Sequence, residues 1–486
     1  MTNLSIHKHV MKAQHRCPAL GWHTARTSEP VPLDLQMRFY QGNYVEQVAM
    51  DQIGPGQRMP ADKHLACERT SQHLACNPKQ MIIQPAFRVD DVVIRPDAIS
   101  SHGRELKEIK SAKSLKDDYV LDLVINKSAA EHNGVPIESS TLVLVNPEHR
   151  CGDENPKMVE IDLTNEVDKL CETYDIVDQI AMLRQPEPPV PVLSRGCRKC
   201  SFLSECFEES DDLIIHIPRL SERKLSPFLD NGIMHMADVD LDGPLFNTLT
   251  PSQKSFVLAH LEPVADLETP PRVNCEALRT YAWLEDPVHY HLDFETANPA
   301  IPLRFGESPY SHSVTQFSVT TDDGVQLSET SFITDGSDDR EALVRALLTA
   351  LEGDEPIVVY SESFEKGRIR ELAQFFPQHA NALHSLLDRI VDLRPVVHHA
   401  VSGLQGESLK VVAPFADPTF GYDDLVISEG GTANAVMSLL LIPGGESVLL
   451  SHSGLTPQLA RNALLEYCAR DTLGTAVIVR YFKGLL

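Results

Sequence analysis

Residues 288–296 read VHYHLDFET, a short run with the β-branched and aromatic content of a strand. A period of two along such a strand projects Asp293 and Glu295 from the same face, and two adjacent carboxylates call for a cation, although an edge strand often carries such a pair without one. Working outward, TQFSVTT at 315–321 reads as a second strand, DREALVRALLTALEG at 339–353 as a helix, and PIVVYSESFEKGRIREL at 356–372 as a strand entering a helix with Glu365 near the junction. That alternation, starting at about residue 276, predicts an α/β domain. At the far end, LLEYCARDTLGTAVIVRYF at 464–482 has helical apolar spacing and sets Tyr467 and Asp471 four residues apart on one face.

At 486 residues the chain is too long for one ordinary core and is expected to form two or three domains. Hydrophobic residues are 42% and charged residues 23%, the balance of a folded chain rather than a disordered or fibrous one. No run reaches the roughly 18 apolar residues of a membrane helix, and the opening MTNLSIHKHVMKAQHRC lacks the apolar centre of a signal peptide, so the expected compartment is the cytoplasm, without a membrane partner. The formal charge is −26. Such a field disfavours nucleic acid by composition alone, yet it is compatible with a metal-dependent nuclease whose carboxylates are matched by bound cations, so the sign of the total does not decide.

The first region, residues 1–210, shows a helical stretch, LQMRFYQGNYVEQVAMDQI at 35–53, then apolar runs VVIRPDAIS, LKEIKSA and STLVLVNP that read as strands of a mixed sheet. A further helix is expected over 117–134, ended by Gly134. Asp97 closes one apolar run, and Glu108 and Lys110 lie in the next; paired strands would bring them together. Asp97 and Glu108 could then hold Mg²⁺ or Mn²⁺ through oxygen ligands, with Lys110 orienting the attacking water and Glu46 adding a carboxylate from the preceding helix. On spacing alone, an exposed hairpin with ordinary surface charge is the better reading of D-x10-E-x-K, because such triplets are common. Of ten cysteines, Cys197, Cys200 and Cys206 crowd into RGCRKCSFLSEC behind a Pro-rich connector, and Cys17, followed by Pro18, precedes the acidic segment. Residues 211–275 read as a helical connector, with the outline of a helical hairpin over 218–239, and 276–486 as the second domain.

The C-x2-C-x5-C group with a distant Cys-Pro, flanking D-x10-E-x-K, resembles the iron-sulfur branch of the PD-(D/E)XK nucleases, which includes CRISPR-associated exonucleases and the nuclease domain of AddAB-type recombination enzymes. By that resemblance Glu46, Asp97, Glu108 and Lys110 match the nuclease motif, and Cys17, Cys197, Cys200 and Cys206 match the ligands of a 4Fe–4S cluster. Four thiolates also suit a structural Zn²⁺. Many relatives carry Gln in the helix after the Lys, where this chain has Asn126.

Residues 285–486 resemble the DEDD superfamily of 3′-to-5′ exonucleases, the DnaQ-like group on a ribonuclease-H-like fold. Motif one is Asp293-x-Glu295, motif two the segment around Phe364 and Glu365, and motif three Tyr467-x3-Asp471. The resemblance implies two divalent ions on the carboxylates and a tyrosine that positions water. Glu365 stands where the family usually has Asp, and Asp392 in RIVDLRP is the other candidate there. Segments 292–319, 360–377, 389–397, 406–415 and 464–472 together look like a bacterial family fusing the two kinds of domain.

Other features read as structural. His398 and His399 follow an expected strand and so face opposite sides, and Cys468 reads as a packed thiol. Gly430-Gly431 and Gly444-Gly445 read as turns, with no Lys-Ser/Thr to complete a phosphate loop. Two functions compete: a two-site nuclease acting on ends or single strands of DNA, or of RNA, and a nucleic-acid-binding scaffold with one or both sites inactive. Protein partners in repair or defence stay open.

Overall fold

A computed structural model describes residues 4–27, 32–76, 79–100, 104–208, 210–261, 271–404 and 406–486. The fold is α/β, built on two mixed sheets. The first sheet orders its six strands as in the chain: β1 (Gly56–Arg58), β2 (Met81–Ile83), β3 (Ala98–Ser100), β4 (Glu105–Lys110), β5 (Ser139–Val145) and β6 (Met158–Asp162). β3 and β4 are antiparallel, with Ala98 opposite Lys107, whereas β4 and β5 run parallel. β5 is buried along nearly its whole length, as its Leu and Val content requires of an interior strand. The apolar run at 92–100 does not form one strand. Val92–Ile94 pairs instead with Phe87–Val89 as a separate ribbon, and Pro96, which has no N–H for a ladder, separates it from β3.

Three helices frame this sheet: α1 (Lys8–Arg16), α2 (Leu33–Ile53) and α3 (Asp117–His132). Val10 and Met11 of α1 pack with Leu121, Val124 and Ile125 of α3 in the largest core. A short helix, Pro18–Thr24, follows α1, with Pro18 at the first turn where a missing N–H costs nothing.

The second sheet contains β7 (His289–Ala297), β8 (Ser313–Asp322), β9 (Leu327–Ile333), β10 (Ile357–Val359) and β11 (Ile390–Asp392), in spatial order β9-β8-β7-β10-β11. β7 is antiparallel to β8 and parallel to β10, and its ladder with β8 shifts register at Glu295/Thr296. The helices that shape the candidate site are α4 (Glu362–Phe375), α5 (Gly430–Leu441) and α6 (Pro457–Lys483). The Thr456 hydroxyl caps α6 by accepting from the Leu459 N–H, and Pro457 opens its first turn. One long face of α6, including Leu464, Cys468, Thr472, Thr475 and Val479, is buried. On that face Thr472 hydrogen-bonds Ser318 and Thr320, and Thr475 hydrogen-bonds the His291 ring.

Three local expectations are corrected. His398 and His399 lie in the helix Leu393–Ala400, because Asp392 accepts the Arg394 N–H and caps a helix directly after β11. Gly430 and Gly431 form the first turn of α5 rather than a connecting turn. Residues 211–261 form several short helices around their own core of Ile214, Phe228, Met236 and Val257 rather than one hairpin.

α2 joins the two sheets. Met37, near its start, packs with Val436 and Leu464, and Val45 and Ala49, further on, pack with Ala98, Ile109 and Val143. The loop after β7 returns the contact: Ala300 and Ile301 enter the same core as Ala98 and Ile109, and the Tyr310 and Ser111 hydroxyls are 2.8 Å apart. Among the described residues no helix is long and apolar enough to cross a membrane.

Candidate metal centre

Alternation along β7 buries Leu292 and Phe294 in the second core and turns Asp293 and Glu295 to the opposite face, toward α6. Asp471 of α6 meets them there, and one oxygen from each of the three carboxylates lies within 4.8 Å of the others. Among the described residues no Lys or Arg forms an ion pair with any of the three. Burial, together with Asp471, Glu295 and Glu365, pushes the Asp293 carboxyl well above the usual range. Burial and Asp471 push Glu295 up to about 8. A set of oxygen ligands that cannot all ionise without a counter-charge is the donor chemistry of a hard divalent cation, so these residues fit Mg²⁺ or Mn²⁺.

Glu365, 3% exposed on α4, faces Asp293 from outside the 4.8 Å group. Its Oε2 is buried without a hydrogen-bond partner, and burial followed by Asp392 raises its carboxyl to about 8. Asp392 serves the backbone instead. Its two oxygens accept the N–H groups of Ser361, Glu362 and Arg394 at 2.9–3.0 Å. Those bonds hold Ser361 at φ 88°, a left-handed conformation that costs a non-glycine residue about 1–2 kcal/mol, and so fix the turn from β10 into α4.

Tyr467, 5% exposed, lies one helical turn before Asp471 and faces its carboxylate. Three further contacts escape sequence reading. The Tyr422 hydroxyl donates to Asp471 Oδ1 at 2.6 Å, the Cys468 thiol donates to Asp293 Oδ2 at 3.3 Å, and Lys410 sits on the rim paired with Glu429 at 2.7 Å. Burial and the surrounding carboxylates raise the Cys468 thiol, which keeps it a donor. Tyr422 lies 49 residues from Asp471 with no shared periodicity, so only the fold joins them. Asp293 and Asp471 line a cleft of about 410 Å³ bounded also by Tyr360, Ser408 and Gly430.

In the first sheet the structure brings Asp97, Glu108 and Lys110 together at the β3–β4 pair. Asp97 Oδ2 accepts the Ile109 N–H at 2.7 Å. Glu108, 1% exposed, accepts from Lys110 at 2.7 Å and Lys8 at 2.6 Å through one oxygen, and from Asn126 at 2.7 Å through the other. Burial alone would raise Glu108, but Lys110 and Lys8 pull it down to about 2. Burial and Glu108 raise Asp97. Glu46 is not drawn into this group: it accepts from Gln84 at 3.0 Å and pairs with Arg58 at 3.2 Å. Asp122, 1% exposed and absent from the sequence-based set, takes Lys12 and Lys110 at 2.7 Å each. Lys8 and Lys12, four residues apart on a short helix, were the available signal.

The four cysteines also converge. Cys17 ends α1, Cys197 lies in the turn Arg195–Lys199, Cys200 follows it, and Cys206 ends the helix Leu203–Cys206. Burial raises the Cys206 thiol, and Cys200, Cys17 and Cys197 raise it further. His23 stacks on Phe202 at 5.1 Å, with its Nε2 4.0 Å from Cys206 Sγ. All four thiols are free, a donor set that fits either a cluster or Zn²⁺.

A family model described as a domain of unknown function, DUF2779, matches residues 290–408. That span takes in Asp293, Glu295 and Glu365 and stops before Tyr467. The chain is 26% identical over 220 residues to "Uncharacterized protein MG366 homolog" of Mycoplasma pneumoniae, a match covering 40% of this chain and 32% of that protein. The chain thus spans about a third of the length of this relative. A solved structure titled "Crystal structure of SSO0001" aligns with 41% of this chain and 95% of its own at 17% identity, with a TM-score of 0.15, too low to bear on the fold.

Proposed function

We propose that the protein is a divalent-metal-dependent nuclease that hydrolyses phosphodiester bonds of DNA, or of RNA, with 3′-to-5′ exonuclease chemistry at the Asp293–Glu295–Asp471 cleft of a ribonuclease-H-like unit. The observation that carries the reading is the gathering of three carboxylates within 4.8 Å, with no Lys or Arg ion-paired to them among the described residues. Divalent ions bound there would activate water and stabilise the leaving oxygen. The chain's own groups hold that geometry: Tyr422 and Tyr467 fix Asp471, Cys468 fixes Asp293, and Glu365 offers its unpartnered oxygen from α4. Lys410 at the rim offers an ammonium to a substrate phosphate once released from Glu429. With a net charge of −26, the chain needs such local cations to receive a polyanion.

In the same proposal residues 1–210 form a PD-(D/E)XK-like unit tied by a 4Fe–4S cluster at Cys17, Cys197, Cys200 and Cys206, and ten cysteines with no disulfide between them suit the reducing cytoplasm. A second reading, in which the first unit binds nucleic acid without cutting it, is favoured by the lysines already paired with Glu108 and Asp122.

The test is incubation of anaerobically purified protein with 5′- and 3′-labelled single strands of DNA and RNA, in Mg²⁺, Mn²⁺ or chelator, beside Asp293→Asn and Asp97→Asn. Stepwise shortening from the 3′ end, lost with chelator and in Asp293→Asn, is the expected result. Binding without cleavage of any strand refutes the nuclease and leaves the scaffold.

A further inference from the structure

The carboxylates of the first sheet differ from those of the second in one respect: basic side chains already occupy them. Lys8 Nζ lies 2.6 Å from Glu108 Oε1 and 3.9 Å from Asp122, Lys110 bridges the same two acids at 2.7 Å each, and Lys12 reaches Asp122 at 2.7 Å and Asp118 at 3.1 Å. The second Glu108 oxygen is taken by Asn126 and one Asp97 oxygen by the Ile109 N–H. A hard divalent ion asks for six or more oxygen ligands with lone pairs free to turn toward it. Here those lone pairs point at ammonium groups, and an ion at the same place would meet three positive charges at close range. The donor set present therefore does not fit the metal that a nuclease motif implies.

Delivery of Lys8 is not accidental. It opens α1, whose Val10 and Met11 are fully buried against α3, so the docked helix fixes where the ammonium lands. The contact also bridges 100 residues of chain, which makes it a tertiary device rather than a local pairing. We propose that Lys8 is a built-in counter-cation that closes the first carboxylate site to divalent ions while α1 is docked. It shares Glu108 Oε1 with Lys110, and withdrawing it removes the ammonium that α1 delivers to that oxygen and so opens the site.

The test uses the full chain, with its thiol site loaded, and counts Mn²⁺ by electron paramagnetic resonance of the free ion. An Asp293→Asn/Asp471→Asn background removes the second centre, and Lys8→Ala is added to it. The expected result is no Mn²⁺ bound in the background at concentrations that bind one equivalent once Lys8 is replaced, an affinity gain of about tenfold or more that is lost again with Asp97→Asn. Should Lys8→Ala not fold, Lys8→Gln, which keeps a donor but no charge, is read in the same way. Mn²⁺ bound in the background and removed by Asp97→Asn overturns the proposal, because the site was open with Lys8 present. No binding in either protein overturns it as well, since something other than Lys8 excludes the ion. The inference is independent of the nuclease reading. A chain with native Asp293 and Asp471 that binds no Mn²⁺ would sink that reading, while Lys8 is judged by the difference between the two backgrounds.

Discussion

Replacing Glu295 by Gln should make the metal-free protein more stable at alkaline pH, and the size of the effect follows from the site. Glu295 is held at about 8 by burial and Asp471, against 4.5 for a free glutamate. The native state therefore keeps a proton that the unfolded chain releases, and stability falls as pH rises through the window from about 4.5 to about 8. At about 1.4 kcal/mol per pKa unit, the full cost above that window is on the order of 5 kcal/mol. Glu295→Gln removes this cost and also relieves Asp293 and Asp471. Urea unfolding in chelator, from pH 5 to 8.5, should show the difference between variant and parent growing from near zero to several kcal/mol. Subtracting the two curves cancels other titrating groups distant from the site. Mn²⁺ should restore the parent by about 2.7 kcal/mol at a hundredfold excess over its dissociation constant and leave the variant less affected. A difference that stays flat with pH, or an identical response to Mn²⁺ in both proteins, would refute the view that three uncompensated carboxylates share this site.

Tyr422→Phe removes a hydrogen bond to a charged oxygen, worth about 1.5–3 kcal/mol, so it should weaken Mn²⁺ binding at the second centre roughly tenfold or more with the fold intact by circular dichroism. An unchanged affinity would remove Tyr422 from the site. Cys197→Ser should lower bound iron and sulfide and the melting temperature before it alters cleavage at the Asp293 cleft; full iron content with lost cleavage would reverse that assignment. Phe317→Ala, at a fully buried ring stacked on Phe332, should cost about 3–5 kcal/mol in urea unfolding and abolish the Asp293 centre only through unfolding.

The pieces legible in the sequence were those that local periodicity encodes. A period of two fixed Asp293 and Glu295 on one face of β7, and helical spacing fixed Tyr467 and Asp471 on one face of α6, because side-chain direction within an element depends only on its own backbone. The β3–β4 pairing that brings Asp97 to Glu108 was readable from two apolar runs, although Pro96 made the first of them shorter than expected. What no spacing states is which elements meet. Tyr422 reaches Asp471, Lys8 reaches Glu108, and Glu46 turns toward Gln84 and Arg58 through the packing of α2, α1 and α6 on their sheets. Both carboxylate sites look alike in one dimension. Packing decides that one has no ion-paired base among the described residues and the other is filled by lysines, because burial makes each charge depend on the groups the fold places against it.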